Sequence, residues 1–346
     1  MKFKYANPIN VCYQDGTSYK DAIADPTLIF TDNTFYVFST GRKVFKSTDG
    51  FNFKLITENI IEPPLWWNEI YSEDYKYGVW APDVCKVKDK WIYYYSLSGW
   101  GKCCGIGYAI ADNIEGPYKD MGKLFTYQEI GILNAIDSQV FYDNERLYMV
   151  LGSFQGLYIL ELLEDGMSLK EGLEYQKNNK VLIAGRVGSW DGSTYEGSYI
   201  IKKGEYYYYF GSVGTCCEGV NSTYKVYCAR SKNLLGPYLD SKGNDILKSG
   251  NGVTYGDLVL WADKDVLGLA GPGHNSIIVD DEGSYWICYH CYYKDDNYKL
   301  RHLFIDKLSW DENGFPFVSH DNGKCIPSYK IQLDGPKYNI NLEENL

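Results

Sequence analysis

The chain has 346 residues and a formal net charge of −11. Nucleic-acid and anionic-membrane binding depend on clustered Lys and Arg, so this balance excludes both as its main business. No apolar run is long enough for a spanning helix. Met1–Tyr5 has no apolar stretch behind it, so the expected location is cytoplasmic, or extracellular or periplasmic if a leader preceded the chain.

Phe, Trp and Tyr make up 16% of the chain, and 34 residues are Tyr. These residues favour strands, and their flat faces also stack on sugars. In chain order, five segments repeat one template: a leading polar residue, a short apolar strand, a polar turn and an aromatic strand. Asp25 leads PTLIF, TDN and TFYVFST; Asp83 leads VCKV, KDK and WIYYYSLS. Asp137 leads SQVF, YDNE and RLYMVLGSF; Glu196 leads GSYII, KKGE and YYYYFGSV; Asn275 leads SIIV, DDEGS and YWICYHCY. The leading residues are spaced 58, 54, 59 and 79 apart. Each unit reads as a β-hairpin with two further strands in the rest of its interval. Helix-period stretches of any length are absent.

Recurring four-stranded units predict an all-β, five-bladed β-propeller. A two-sheet sandwich competes, but it does not explain the recurrence. The expected organisation is one propeller domain over 1–346, with blades starting near 25, 83, 137, 196 and 275. An insertion is expected within Leu239–Leu269, and a tail after Trp310 that helps close the ring.

In a propeller the residues ahead of the first strands meet at one mouth. Asp25, Asp83, Asp137, Glu196 and His274-Asn275 hold those places. Asp32, Asp89, Asp143, Asp280 and Asp281 fall in hairpin turns, where Asp serves its own backbone. His290 and His302 lie in strand-like runs and are expected to pack there. Glycoside hydrolysis needs one protonated and one ionised carboxyl, and a third can raise the acid's pKa by like charge. No serine elbow, P-loop or dinucleotide fingerprint competes, and no organic cofactor is implied. Of the ten cysteines, Cys288 and Cys291 have a CxxC spacing inside an apolar run and read as buried thiols rather than zinc ligands. Cys103-Cys104 and Cys216-Cys217 are adjacent pairs, poorly placed to bridge each other.

Seven motifs follow one another along the chain. They are Ala24-Asp25-Pro26, Trp80-Ala81-Pro82-Asp83-Val84, Asn134-Ala135-Ile136-Asp137, Gly152-Ser153-Phe154 and Tyr195-Glu196-Gly197, then Gly214-Thr215-Cys216-Cys217 with Asn221-Ser222-Thr223-Tyr224, and Gly271-Pro272-Gly273-His274-Asn275. In them the chain resembles glycoside hydrolase family 43, and within it the arabinanases, over roughly residues 20–295. The resemblance implies a five-bladed propeller and an inverting hydrolase of α-1,5-linked L-arabinan or arabino-oligosaccharides. It implies Asp25 as general base, Glu196 as general acid and Asp137 as the carboxylate that raises and aligns the acid. Asn134, Ala135, Ile136, Ser153 and Phe154 correspond to substrate contacts, and Trp80 to the floor beside the sugar. His274 corresponds to an imidazole that helps hold calcium, with water ligands, in the channel. Trp100 and Trp190 are further candidates for stacking on sugar. Ser138 and Ser198 depart from the arabinanase pattern, which has Pro or a bulkier residue there. An exo-acting α-L-arabinofuranosidase or β-xylosidase remains the alternative, and a non-catalytic glycan-binding propeller the reading from another class.

Overall fold

The structure, a computed structural model, describes residues 7–69, 77–99, 103–261, 264–265, 267–280 and 282–318, with the backbone of short strands at 4–5, 319–320, 324–325 and 333–334. Five antiparallel sheets surround one axis as the blades of a β-propeller. The first blade runs Thr27–Thr31, Thr34–Ser39, Lys43–Ser47 and Asn52–Thr57, with Asn10–Cys12 added in parallel at its outer edge. The second comprises Gly78–Val87, Lys90–Ser98, Cys104–Ala111 and Lys119–Thr126. The third comprises Gln139–Asp143, Arg146–Leu151, Leu157–Leu162 and Val181–Ala184. The fourth comprises Glu196–Lys203, Tyr206–Val213, Lys225–Ser231 and Asp257–Leu260, with a long connection over 232–256 before its last strand. Leu269–Val279, Tyr285–Tyr293, Arg301–Trp310 and Pro316–Phe317 form the fifth.

The second strands explain the aromatic content. A strand sends alternate side chains to opposite faces, and both faces of each blade are covered by neighbours. Tyr93 and Tyr95 therefore pack toward the first blade, and Ile92 and Tyr94 toward the third. Tyr207 and Tyr209 likewise face the third blade, while Tyr208 and Phe210 face the fifth. The core is thus a set of wedges, one at each blade-to-blade junction. Several buried Tyr hydroxyls find partners at the wedge edges, as Tyr94 does on the Gly166 carbonyl at 2.7 Å and Tyr289 on Asp306 at 2.6 Å, while those of Tyr93 and Tyr118 have none among the described residues. The same alternation sends Cys288 and Cys291 to different wedges, both fully buried. An odd spacing on a strand cannot present both sulfurs to one metal.

The blades are also laced together at the mouth. Asp25, Ala81, Asp137, Gly197 and His274 have φ between 41° and 59°, the left-handed region. Each N–H points across to the preceding blade. Ala81 donates to Thr40 Oγ1, Asp137 to Ser96 Oγ, His274 to Ser212 Oγ and Asp25 to His290 Nδ1, all at 2.8–3.0 Å. Gly197 instead donates to Asp137 Oδ2 at 3.3 Å. Two residues after these positions, side chains accept a second tie from the following blade. Asp83 accepts from Val140 N–H, Gln139 from Ile200 N–H and Ser276 from Leu28 N–H.

This lacing corrects the expected alignment of the leading acids. Ala81, not Asp83, is the second blade's counterpart of Asp25. Asp83 is buried inside its strand and does not reach the mouth. Glu196 stands one residue before the left-handed position, paired with Ser212 as Trp80 is with Ser96. Asp143 is likewise more than a turn residue, because it binds Lys202 Nζ at 2.6 Å and the Tyr207 hydroxyl at 2.8 Å on the next blade. Asp281 lies outside the described residues. Among the described residues, no helix is long and apolar enough to cross a membrane.

Candidate active site

A cleft of about 750 Å³ opens at the mouth, within the range of small-molecule sites. Asp25, Asp137 and Glu196 line it together. Left-handed backbone at a non-glycine residue costs about 1–3 kcal/mol and persists only where the surroundings over-determine it. Here the cross-blade N–H ties do so, and they aim Asp25, Asp137 and His274 into the cleft.

Asp25 sits at the seam between the first and fifth blades. Its Oδ2 accepts from Thr40 Oγ1 at 2.5 Å. Its Oδ1 lies 3.3 Å from His274 Nδ1, 3.4 Å from His290 Nδ1 and 3.8 Å from the Arg301 guanidinium. Burial acts to raise its pKa, but His274, Arg301, His290 and the Thr40 hydroxyl outweigh that and hold it at about 2. Burial lowers both imidazoles, so at neutral pH they are uncharged. Arg301 is then the standing cation and Thr40 the standing donor. Because His290 Nδ1 accepts the Asp25 N–H, its proton is on Nε2.

Glu196 and Asp137 experience the opposite field. Burial lifts Glu196 to about 7, helped by the Asp25 charge and opposed by Ser153, Tyr224 and Arg301. Ser153 Oγ donates to Glu196 Oε2 at 2.8 Å. The buried Tyr224 hydroxyl is near enough to stabilise the carboxylate but lacks good hydrogen-bond geometry to it. Burial, then the Glu196 charge, then that of Asp25 push Asp137 well above the usual carboxylate range. The two titrate as a unit, and the unit keeps a proton near neutrality. One cleft thus favours an ionised Asp25 beside a carboxyl pair that keeps a proton.

Trp80, Asn134, Ile136, Ser153 and Phe154 line the same cleft. Asn134 Nδ2 donates to the Ser153 carbonyl at 3.1 Å, which joins those two motifs. Ala135 is a correction: it is fully buried in the wedge between the second and third blades and does not face the cleft. Trp190 is 64% exposed at the cleft edge, and Trp100 lies outside the described residues. His302 binds Asp296 at 3.0 Å, away from the cleft. His290, expected only to pack, is in contact with the site. Thr40, Tyr224 and Arg301 also line it; Tyr224 ends one of the seven motifs without an implied role, and Thr40 and Arg301 carried no local signal. For His290 a signal existed, since it holds the place in its strand that Ser96 and Ser212 hold in theirs.

Calcium takes six to eight oxygen ligands. At His274 the protein offers one ring nitrogen beside the Arg301 cation, and among the described residues no group of three His, Cys, Asp or Glu side chains is placed to hold a metal. That donor set does not fit a calcium ion held by protein ligands, and the contact with Asp25 accounts for the imidazole.

Residues 19–316 match the sequence model of glycosyl hydrolases family 43. An extracellular exo-α-(1→5)-L-arabinofuranosidase of Cellvibrio japonicus is 31% identical over 330 residues, spanning 90% of this chain and 89% of that protein. An extracellular endo-α-(1→5)-L-arabinanase of Bacillus subtilis is 30% identical over 305 residues, spanning 86% and 87%. The fold is similar to that of Cellvibrio cellulosa α-L-arabinanase complexed with arabinohexaose, with a TM-score of 0.75 at 31% identity over 87% of this chain and 96% of that one. It is also similar to an endo-arabinanase of Bacillus licheniformis, with a TM-score of 0.72 at 30% identity over 87% and 99%. With its propeller and its cleft of three carboxyls, the chain belongs to glycosyl hydrolase family 43.

Proposed function

We propose that this chain is a single-domain hydrolase of α-1,5-linked L-arabinan or arabino-oligosaccharides, acting with inversion. The observation that carries this reading is geometric: three carboxyls share one cleft, Asp25 beside the Arg301 cation and the Thr40 hydroxyl, Glu196 and Asp137 buried, an arrangement that favours an ionised Asp25 and a carboxyl pair that keeps a proton. Asp25 takes a proton from water as its oxygen attacks the anomeric carbon. Glu196 gives its proton to the departing O5, so the glycosidic bond breaks without an alkoxide. Asp137 keeps the proton available and, through Gly197 N–H, fixes the strand that bears the acid. Trp80, Phe154, Asn134 and Ile136 bind the sugar.

Relatives that act on arabinan chains support this substrate, and their extracellular placement suits a polymer. Exo action is the second reading, favoured by the similarity to the Cellvibrio japonicus arabinofuranosidase. Hydrolysis of debranched arabinan, branched arabinan and xylan, with products separated by length, tests both readings. Mixed oligosaccharides from debranched arabinan indicate endo action, and arabinose alone indicates exo action. Release on xylan only would overturn the substrate. Proton NMR during the first turnovers should show the β-configured product before mutarotation, and an α product would rule out single displacement.

A further inference from the structure

Of the two adjacent cysteine pairs, one brings its sulfurs together. Cys216 Sγ and Cys217 Sγ lie 2.7 Å apart, and both line the cleft. In the other pair the sulfurs turn to separate partners, Cys103 toward the Tyr127 hydroxyl at 4.0 Å and Cys104 toward Asn134 Oδ1 at 3.8 Å. The loop that carries Cys216 and Cys217 is braced. Thr223 and Tyr224 N–H donate to the Thr215 carbonyl at 3.1 and 3.0 Å, and Glu218 N–H donates to Ser222 Oγ at 2.9 Å.

The two thiols are unequal. The close contact with Cys217, then burial, then the charges of Glu196 and Asp25 raise Cys216. The same contact lowers Cys217, against burial and with help from Arg301. Thiolate is the reactive form, so Cys217 is the nucleophile and Cys216 the thiol beside it. Cys217 is also open to solvent. Zinc asks for four ligands, and among the described residues no third metal-ligating side chain joins the pair. Two sulfurs and no more suit a trivalent arsenic atom that already carries one organic group.

We propose that Cys216 and Cys217 form a dithiol site for trivalent organoarsenicals, and that its occupant blocks the catalytic cleft. The reaction with R–As=O balances without an oxidant. Two S–H bonds break, two As–S bonds form, and the oxygen leaves as water with both thiol protons. The blocking half rests on the hydrolase reading above; adduct formation does not.

The test treats the full chain with phenylarsine oxide. Intact mass should show one organoarsenic group gained with loss of water, and peptide mapping should place it on Cys216 and Cys217. Most arabinan hydrolysis should be lost, restored by 2,3-dimercaptopropanol but not by excess monothiol. Arabino-oligosaccharide should slow the adduct. Cys217→Ser and Cys216→Ser, each compared with its own untreated activity, should lose the dithiol-reversible response. No adduct, an adduct at Cys103-Cys104, or an undiminished response in Cys217→Ser would overturn the site. An adduct at Cys216-Cys217 that leaves hydrolysis intact would overturn the blocking alone. A chain inactive on arabinan before treatment would instead sink the hydrolase reading, and the mapped adduct would still decide the site.

Discussion

In the proposed mechanism Glu196 carries the pH dependence. Its protonated form is the proposed acid, and burial lifts its pKa to about 7, so kcat/KM should fall as pH rises through neutrality. The Asp25 limb lies far below, because that carboxyl is ionised above about 2. Ser153 supplies the sharper test. Its hydroxyl stabilises the ionised Glu196, and a hydrogen bond to a buried charge is worth about 1.5 kcal/mol or more, equivalent to roughly one pKa unit. Ser153→Ala should therefore move the alkaline limb upward by about one unit, read from kcat/KM against pH; a limb that stays put or moves down would remove Ser153 from the acid's control. Glu196→Gln should slow arabinan hydrolysis by about 10²–10⁴-fold, the usual worth of general acid catalysis. The loss should be much smaller on p-nitrophenyl arabinofuranoside, whose leaving group needs no proton. Equal losses on both substrates would deny Glu196 the acid's role. The three acids were legible because each sits in a short motif beside Pro, Gly or an apolar strand. Arg301 was not, because it meets Asp25 only after the ring brings the two ends of the chain together.

At the scale of the blade, Asp83 separates structure from chemistry. Burial raises its pKa to about 7, against the N–H groups of Val140 and Val84. A carboxyl raised in the folded state binds its proton more tightly there than when unfolded. Its contribution to stability is fully present below the unfolded pKa of 3.8 and is lost as pH rises to about 7. Asp83→Asn keeps an acceptor for Val140 N–H without the ionisable proton. Relative to wild type it should gain stability between pH 4 and 8, by urea denaturation, while hydrolysis persists. Asp83→Ala should lose about 1–3 kcal/mol at acid pH, where a buried N–H is left without its partner. A loss of catalysis in Asp83→Asn with stability unchanged would return this residue to the mouth. The repeat itself was readable because hairpins with both faces covered write continuous aromatic runs into the sequence. The register within the repeat was not. The position that matters is set by a left-handed φ, which Ala81 adopts without any tell-tale residue, and the acid two places on drew the alignment to itself.

The whole ring closes where the chain begins. Asn7 Nδ2 donates to the Ile305 carbonyl and to Asp306 Oδ2, and its Oδ1 accepts from Ile305 N–H, each at 3.1 Å. Ile9 N–H reaches the Leu303 carbonyl and Ile23 N–H the Arg301 carbonyl, both at 2.8 Å. The N-terminal segment is thereby fastened to the third strand of the fifth blade, whose first residue is Arg301. Asp25 follows Ile23 by two residues, and its partners His274, His290 and Arg301 all belong to the fifth blade. The charge state of the proposed base thus depends on a junction that the chain makes only when its two ends meet. Asn7→Ala removes three hydrogen bonds from a buried site, at about 1 kcal/mol or more each, and should lower the thermal midpoint. Activity should be lost on heating before the bulk β-sheet signal, because the seam and the Asp25 cluster open together. The measurement is a melt followed in parallel by circular dichroism and by residual hydrolysis. A wild-type midpoint, or activity that outlasts the sheet signal, would show that the seam does not hold the base in place.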